Sequence, residues 1–137
     1  MKELETAASI DCLSSVIAFI DEQLEAAECP MKIQMQIELA VEEIFVNIAS
    51  YAYYPGTGSA VIRIDLCGDP LTAVMTFIDK GVKYDPLAKK DPDITLPASE
   101  RGIGGLGIFL TKKTMDDVSY EYRDGMNILT MKKSLAG

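Results

Sequence analysis

Glu38 to Asn47, ELAVEEIFVN, is the stretch whose reading decides the fold. Wound at about 3.6 residues per turn, Ile33, Ile37, Ala40, Val41, Ile44 and Ile48 fall on one apolar stripe. Glu38 and Glu42 fall opposite that stripe. Glu43 and Asn47, one helical turn apart, fall at its edge, where a side chain is neither in the core nor free in solvent. A cleft opens at such an edge. A carboxylate and a carboxamide stacked there can serve as a base and a metal ligand, or they can be ordinary polar boundary residues, and the helix alone leaves both readings open.

Outward from this helix, composition narrows the possibilities. A chain of 137 residues, 48% hydrophobic and 25% charged, suits one domain around one core, residues 1–137. Its apolar runs are broken well short of the ~20 residues of a membrane span. MKELETAAS lacks the apolar centre of a secretory signal, so a soluble, cytoplasmic protein is expected. Cys12, Cys29 and Cys67 are odd in number, widely spaced and without a CxxC, which indicates neither a disulfide framework nor a zinc site.

There is no histidine, which excludes Ser/His and Cys/His triads, histidine metal sites and phosphorylation of the chain on its own histidine. Acid–base chemistry must use carboxylates or lysines. The net charge of −8 disfavours direct nucleic-acid binding, and its distribution says more than its sum. The first fifty residues carry ten acids against Lys2 and Lys32, whereas the remainder carries eleven acids and eleven bases. An anionic ligand is better hosted by the glycine- and lysine-bearing C-terminal half; an acidic, solvated helical surface needs no ligand at all.

Around the central helix, residues 2–7 read as a short edge strand. Leu13, Val16, Ile17, Ile20 and Leu24 recur at helical spacing between about Ile10 and Glu28, with Ser9 or Asp11 available as N-cap. Cys29-Pro30 breaks this helix, and the next runs from about Met31 to Ala52. Leu39 and Val46 lie off its main stripe, so a loop or a partner subunit is expected to cover that side. After Pro55-Gly56-Thr57-Gly58 the period changes from helical to alternating. Residues 60–67 and 71–78 form one hairpin, the second strand apolar on both faces and therefore central. Residues 118–123 and 127–133, joined by Asp124-Gly125, form another. A helix from about Leu106 to Met115 lies between. The order β-α-α-β-β-α-β-β fits an α+β two-layer sandwich, with helices on one face of a mostly antiparallel mixed sheet.

Two further segments carry chemistry. Asp79-Lys80-Gly81 follows the central strand: an aspartate leaving a buried strand can present its carboxylate into a pocket, and the glycine permits a close backbone approach. A simple turn is the alternative. Arg101-Gly102-Ile103-Gly104-Gly105-Leu106-Gly107 then runs into a helix. Its literal GxGxxG match fails the dinucleotide reading because Pro97-Ala98-Ser99-Glu100, not a strand, precedes it; no GK[ST] makes it a Walker loop. What survives is a cluster of exposed backbone N–H groups at the positive end of a helix, which suits phosphates, or else a flexible loop.

Together, in this order and spacing, the three segments resemble the ATP-binding fold shared by gyrase, the Hsp90 chaperones, histidine kinases and MutL proteins, over nearly the whole chain. Glu43-x-x-x-Asn47 looks like its N box, Asp79-x-Gly81 its G1 box and Gly102 to Gly107 its G2 box. AVEEIFVNIASYAY, the YDP after Asp79-x-Gly81, the compact RGIGGLGIFL and the closing NILTMKK look most like the anti-sigma-factor serine kinases. That resemblance implies Asn47 as ligand of the Mg²⁺ on the ATP phosphates and Asp79 as acceptor of the adenine amino group. It implies Gly81 as the residue that admits the base, Gly104, Gly105, Leu106 and Gly107 as backbone contacts to phosphate, Thr130 as support of the adenine site, and Glu43 as general base. It further implies transfer of the γ-phosphate to a serine of an anti-sigma-factor antagonist of the STAS type, sequestration of a sigma factor, and a homodimer. A nucleotide-binding partner switch without transfer, or a detached histidine-kinase catalytic domain, are the alternatives. Lys83 stands where many relatives have a second G1 glycine, and Tyr51 where the related kinases commonly have histidine.

Overall fold

The computed structural model describes residues 1–88 and 105–136. Strand β1 (Lys2–Ala7) leads through a single 3-10 turn, Ile10–Cys12, into helix α1 (Leu13–Ala26), and α2 (Met31–Asn47) follows. Ser9 is the cap of the 3-10 turn, its hydroxyl accepting from the Asp11 N–H at 3.3 Å. Strands β2 (Ser59–Cys67) and β3 (Thr72–Asp79) form the first hairpin; α3 (Gly105–Thr114) precedes the second, β4 (Asp117–Arg123) and β5 (Met126–Ser134).

The sheet runs β1-β2-β3-β5-β4, and the expected mostly antiparallel sheet is antiparallel at every pairing. β3 is central, as its apolar content requires, held between β2 and β5. The register sets Asp79 of β3 directly opposite Asn127 of β5, and Thr76 opposite Thr130. Because side chains alternate along a strand, Ile62, Ile64, Met75, Phe77, Leu129 and Met131 share the face that the helices cover, where all six are buried. Val16, Ile20 and Leu24 of α1 and Ile33, Ile37, Val41 and Ile44 of α2 meet them there. Phe45, beyond the expected stripe, is fully buried as well. Each such large side chain contributes about 1.5–3 kcal/mol by leaving water, so the end of α2 that bears Glu43 and Asn47 is fixed by core packing.

The helix expected to run on to Ala52 changes geometry after Asn47: Ile48–Ala52 form one wider π turn. The Ala52 carbonyl accepts from the Val82 N–H at 2.9 Å, a partner supplied by the turn after β3. Such turns are local unwindings often found at functional sites. Here the unwinding brings Tyr51 and Ala52 against the segment that follows Asp79.

Candidate functional site

Between the C-terminal end of α2 and the ends of β3 and β5 lies a cleft of about 440 Å³ including its mouth. Ile44, Ile48, Phe77 and Leu129 give it apolar walls, and Asn47, Asp79 and Asn127 are its converging polar groups. Tyr51 and Tyr84 form an aromatic rim, ring centroids 6.4 Å apart and planes at 42°. A flat apolar slot with a few fixed polar groups at one end suits a planar heterocycle.

Asp79 is the last residue of β3 and is buried. Its Oδ1 accepts two hydrogen bonds, from the Gly81 N–H and from Asn127 Nδ2, each at 2.9 Å. Gly81 has no room for a side chain: a Cβ there would lie 2.1 Å from the Ala52 carbonyl oxygen. A glycine is required because the π turn and the 81–82 segment touch backbone to backbone. Tyr53 ties the same region together, its hydroxyl donating to the Ser59 carbonyl at 2.6 Å and accepting from the Lys80 N–H at 2.8 Å.

At the other end of the cleft, Asn47 Nδ2 donates to Glu43 Oε1 at 3.4 Å, so the helical spacing brings the two side chains together. Partial burial pushes the Glu43 carboxyl above the usual glutamate range; the Asn47 hydrogen bond opposes this, and the neighbouring Glu42 charge adds to it. α3 packs directly against this carboxyl. A Cβ on Gly107 would sit 2.2 Å from Glu43 Cδ and 2.3 and 2.4 Å from its two oxygens, so glycine lets the first turn of α3 close over the carboxylate. Thr111 braces that turn, its hydroxyl donating to the Gly107 carbonyl at 3.0 Å. Gly105 and Leu106 open the helix beside it, whereas Gly104 lies outside the described residues. Leu39, 66% exposed, and Val46 line a groove between α2 and α3.

Thr130 faces the side of the sheet away from the helices, level with Thr76 and Ser119, and is not among the cleft-lining side chains. The β5 side chains that line it are Asn127 and Leu129. Asn127 is the residue the motifs did not single out. Its signal lay in the strand's alternation: a carboxamide in step with Leu129 and Met131 points inward, where an apolar side chain is the rule. Tyr84 and Tyr120 are likewise lining residues outside the motifs. Partial burial raises the Tyr120 phenol above its ordinary value, with the Tyr84 backbone opposing and the Asp85 and Asp79 charges adding to the shift.

Two departures from the motif pattern find places here. Tyr51 is at the rim, 52% exposed. Lys83 points out of the cleft, its ammonium 5.5 Å from the centre of the Tyr122 ring. Among the described residues no three His, Cys, Asp or Glu side chains cluster as a metal site. No helix among them is long and apolar enough to cross a membrane.

A family model described as the histidine kinase-like ATPase domain matches residues 6–133. The chain belongs to that family. Among curated members it is 30% identical over 100 residues to the serine/threonine-protein kinase BtrW of Bordetella bronchiseptica, covering 73% of this chain and 70% of that one. It is 28% identical over 101 residues to the serine-protein kinase RsbW of Listeria monocytogenes, covering 70% and 63%, and 31% identical over 103 residues to that of Halalkalibacterium halodurans, covering 72% and 61%. The chain thus spans less than two thirds of the length of these RsbW relatives. Among solved structures, the RsbU and RsbW domains of a Mycobacterium tuberculosis protein superpose with a TM-score of 0.67, at 16% identity over 98% of this chain and 32% of that one. The SiaB-SiaC complex of Pseudomonas aeruginosa contains a chain that matches with a TM-score of 0.62, at 16% identity over 97% and 89%. These two likenesses speak to the ATPase fold alone; the activity named for the curated relatives is protein-serine phosphorylation.

Proposed function

We propose that this ATPase-family domain is a serine protein kinase that uses ATP and Mg²⁺, transfers the γ-phosphoryl group to a serine of an anti-sigma-factor antagonist of the STAS type, and also sequesters a sigma factor. The observation that carries the reading is the Glu43 carboxylate. It is half-buried, hydrogen-bonded to Asn47, and capped by Gly107 in the first turn of α3. Phosphoryl transfer asks little covalent chemistry of a protein; it needs positioning, charge neutralisation and an oriented nucleophile. Asp79 accepts the adenine amino group, and the apolar walls hold the ring. Backbone N–H groups of Gly105, Leu106 and Gly107, at the positive end of α3, approach the phosphates, and that of Gly104 is proposed to join them. Glu43, its carboxyl poised nearer neutrality than an exposed glutamate, takes the proton from the serine hydroxyl as its oxygen bonds to the γ-phosphorus and the bond to the β-phosphate oxygen breaks.

A hard divalent cation fits the donors present. Magnesium keeps most of its waters and takes one or two protein oxygens plus substrate phosphates, and Asn47 offers such an oxygen because its amide nitrogen is committed to Glu43. The cation would supply charge neutralisation on the phosphates. The names of the BtrW and RsbW relatives support the acceptor class, and the SiaB-SiaC structure is a precedent for this fold in a complex. A sigma-factor partner places the protein in the cytoplasm. Exposed Met35, Leu39 and Leu110 offer apolar surface for a homodimer or a partner.

The test is phosphotransfer from labelled ATP, with Mg²⁺, to the antagonist encoded beside the gene, comparing wild type with Glu43→Gln. An acid-stable serine label that the variant loses is the expected result. Tight ATP binding with no label on the partner would sink the kinase reading in favour of a nucleotide-binding switch, and an acid-labile label would point to histidine transfer.

A further inference from the structure

Asn127 makes more side-chain contacts to the cleft's polar end than any motif residue does, and no part of the proposed chemistry uses it. Its Oδ1 accepts from the Tyr84 N–H at 3.1 Å and from the Tyr120 hydroxyl; its Nδ2 donates to Asp79 Oδ1 and to the Val82 carbonyl, both at 2.9 Å. Two donors face the oxygen and three acceptors face the nitrogen, the third being the Gly81 carbonyl at 3.5 Å, so the amide has only one way round, and a flip would set N–H against N–H. The side chain is buried at the start of β5, in register with Asp79.

From this we infer that Asn127 is a positioning residue that makes the cleft selective for a 6-aminopurine over a 6-oxopurine, by holding Asp79 with one carboxylate oxygen occupied and the other turned to the ligand. The inference rests on the adenine-site reading and deepens it. Among the described residues both hydrogen bonds to Asp79 go to Oδ1, from Gly81 and Asn127. Oδ2 is left as an acceptor for the cleft. An exocyclic amino group donates to it; a 6-oxo group presents lone pairs and is repelled. The same amide pins the Val82 carbonyl and the Tyr84 N–H, so the carboxylate, the glycine turn and the aromatic rim are set by one side chain. A free Asp79 could rotate to share both oxygens among the turn N–H groups and would lose that directionality.

The measurement is the affinity of the full chain for ATP, for inosine triphosphate with its 6-oxo group, and for the purine riboside triphosphate that has no 6-substituent. Wild type is expected to prefer ATP to both analogues by about tenfold or more, the worth of one hydrogen bond to a carboxylate. Asn127→Leu should weaken ATP about tenfold while leaving the unsubstituted analogue within about twofold, so the preference collapses. Asn127→Thr, which keeps a hydroxyl donor, should recover part of it. Tyr120→Phe, which removes one of the two donors that orient the amide, should lower the preference several-fold with the fold intact. Equal losses for all three nucleotides in Asn127→Leu would mean a purely structural role and would overturn the inference, as would an undiminished preference in that variant. If Asn127→Leu does not fold, an unchanged preference in Tyr120→Phe overturns it, and a reduced one supports it. Absence of any 6-amino preference in the wild type is a different failure, one that removes the adenine-site reading itself.

Discussion

Gly107→Ala puts a single methyl group where α3 closes on Glu43, and its two effects pull in opposite directions. On the helix alone the change is favourable: alanine is about 0.8–1.0 kcal/mol better than glycine in a helix interior, less in a first turn. Against this, the new Cβ would lie 2.2 to 2.4 Å from three atoms of the Glu43 carboxylate, where ordinary contact begins near about 3.4 Å. The carboxylate must withdraw by about 1 Å or α3 must tilt, and the side chain is the softer of the two. Withdrawal also breaks the 3.4 Å hydrogen bond to Asn47, which is already long. Stability should therefore stay level, or rise by up to about 4 °C in Tm. A reacting group misplaced by about 1 Å costs on the order of 10²-fold in rate. The expected phenotype is a folded protein that binds ATP within about threefold of wild type and transfers phosphate about 10²-fold more slowly at saturating ATP. A thermal melt, a nucleotide titration and single-turnover transfer of labelled phosphate would check it. Wild-type turnover in a variant that melts normally would refute the reasoning, because the methyl group has nowhere to go except through the proposed base. Gly107→Ala combined with Glu43→Gln should be little slower than Glu43→Gln alone, since both changes remove one function.

Glu43→Gln has a separate signature in stability. The folded pKa is raised, chiefly by burial, so the native state holds its proton to higher pH than the unfolded chain, and wild-type stability falls as pH rises from the ordinary glutamate value of about 4.3 through the folded one. The glutamine variant lacks this loss; it should be the more stable of the two at pH 7.5 and converge with wild type near about pH 3.5, as read from urea midpoints, and a variant less stable at pH 7.5 would contradict the desolvation account. Gly81→Ala should be costly in a way Gly107→Ala is not, because its Cβ would meet the Ala52 carbonyl oxygen at 2.1 Å, an atom of the main chain. Main-chain displacement costs about 1–3 kcal/mol, and the Val82–Ala52 hydrogen bond at 2.9 Å goes with it. The urea midpoint should drop and ATP binding should weaken together; a drop in neither would mean that the backbone contact is not there.

The periods of the sequence carried most of the fold. A stripe at 3.6 placed Glu43 and Asn47 at the edge of the core, alternation and turn residues found both hairpins, and apolar residues on both faces put β3 at the centre. What periodicity missed was decided by contacts between distant segments. The end of α2 is a π turn because the Val82 N–H, from beyond β3, takes the Ala52 carbonyl. The pleat decides which face a strand residue occupies, and one position along a strand reverses it. The inward series Asn127, Leu129, Met131 already assigns Thr130 to the far side.

The same distinction separates the two carboxylates of the cleft. Asp79 and Glu43 are both acids at the end of an apolar run, and nothing in their own segments sets them apart chemically. Asp79 ends β3 among donors, with the Gly81 N–H and the Asn127 amide on one oxygen, so it is built to remain an acceptor. Glu43 sits one turn from a single carboxamide and beneath a glycine that belongs to α3, so it is desolvated and its proton is held more tightly. In the proposed function these two surroundings suit different work: Asp79 recognises, and Glu43 exchanges a proton. Gly107 and Asn127 make that assignment, each from a segment that meets its acid only in the folded chain. Exchanging the surroundings should therefore matter more than exchanging the acids. Asp79→Glu retains a carboxylate but moves it off the Asn127 amide, and it should lose ATP affinity while leaving the Glu43 environment, and its dependence of stability on pH, unchanged.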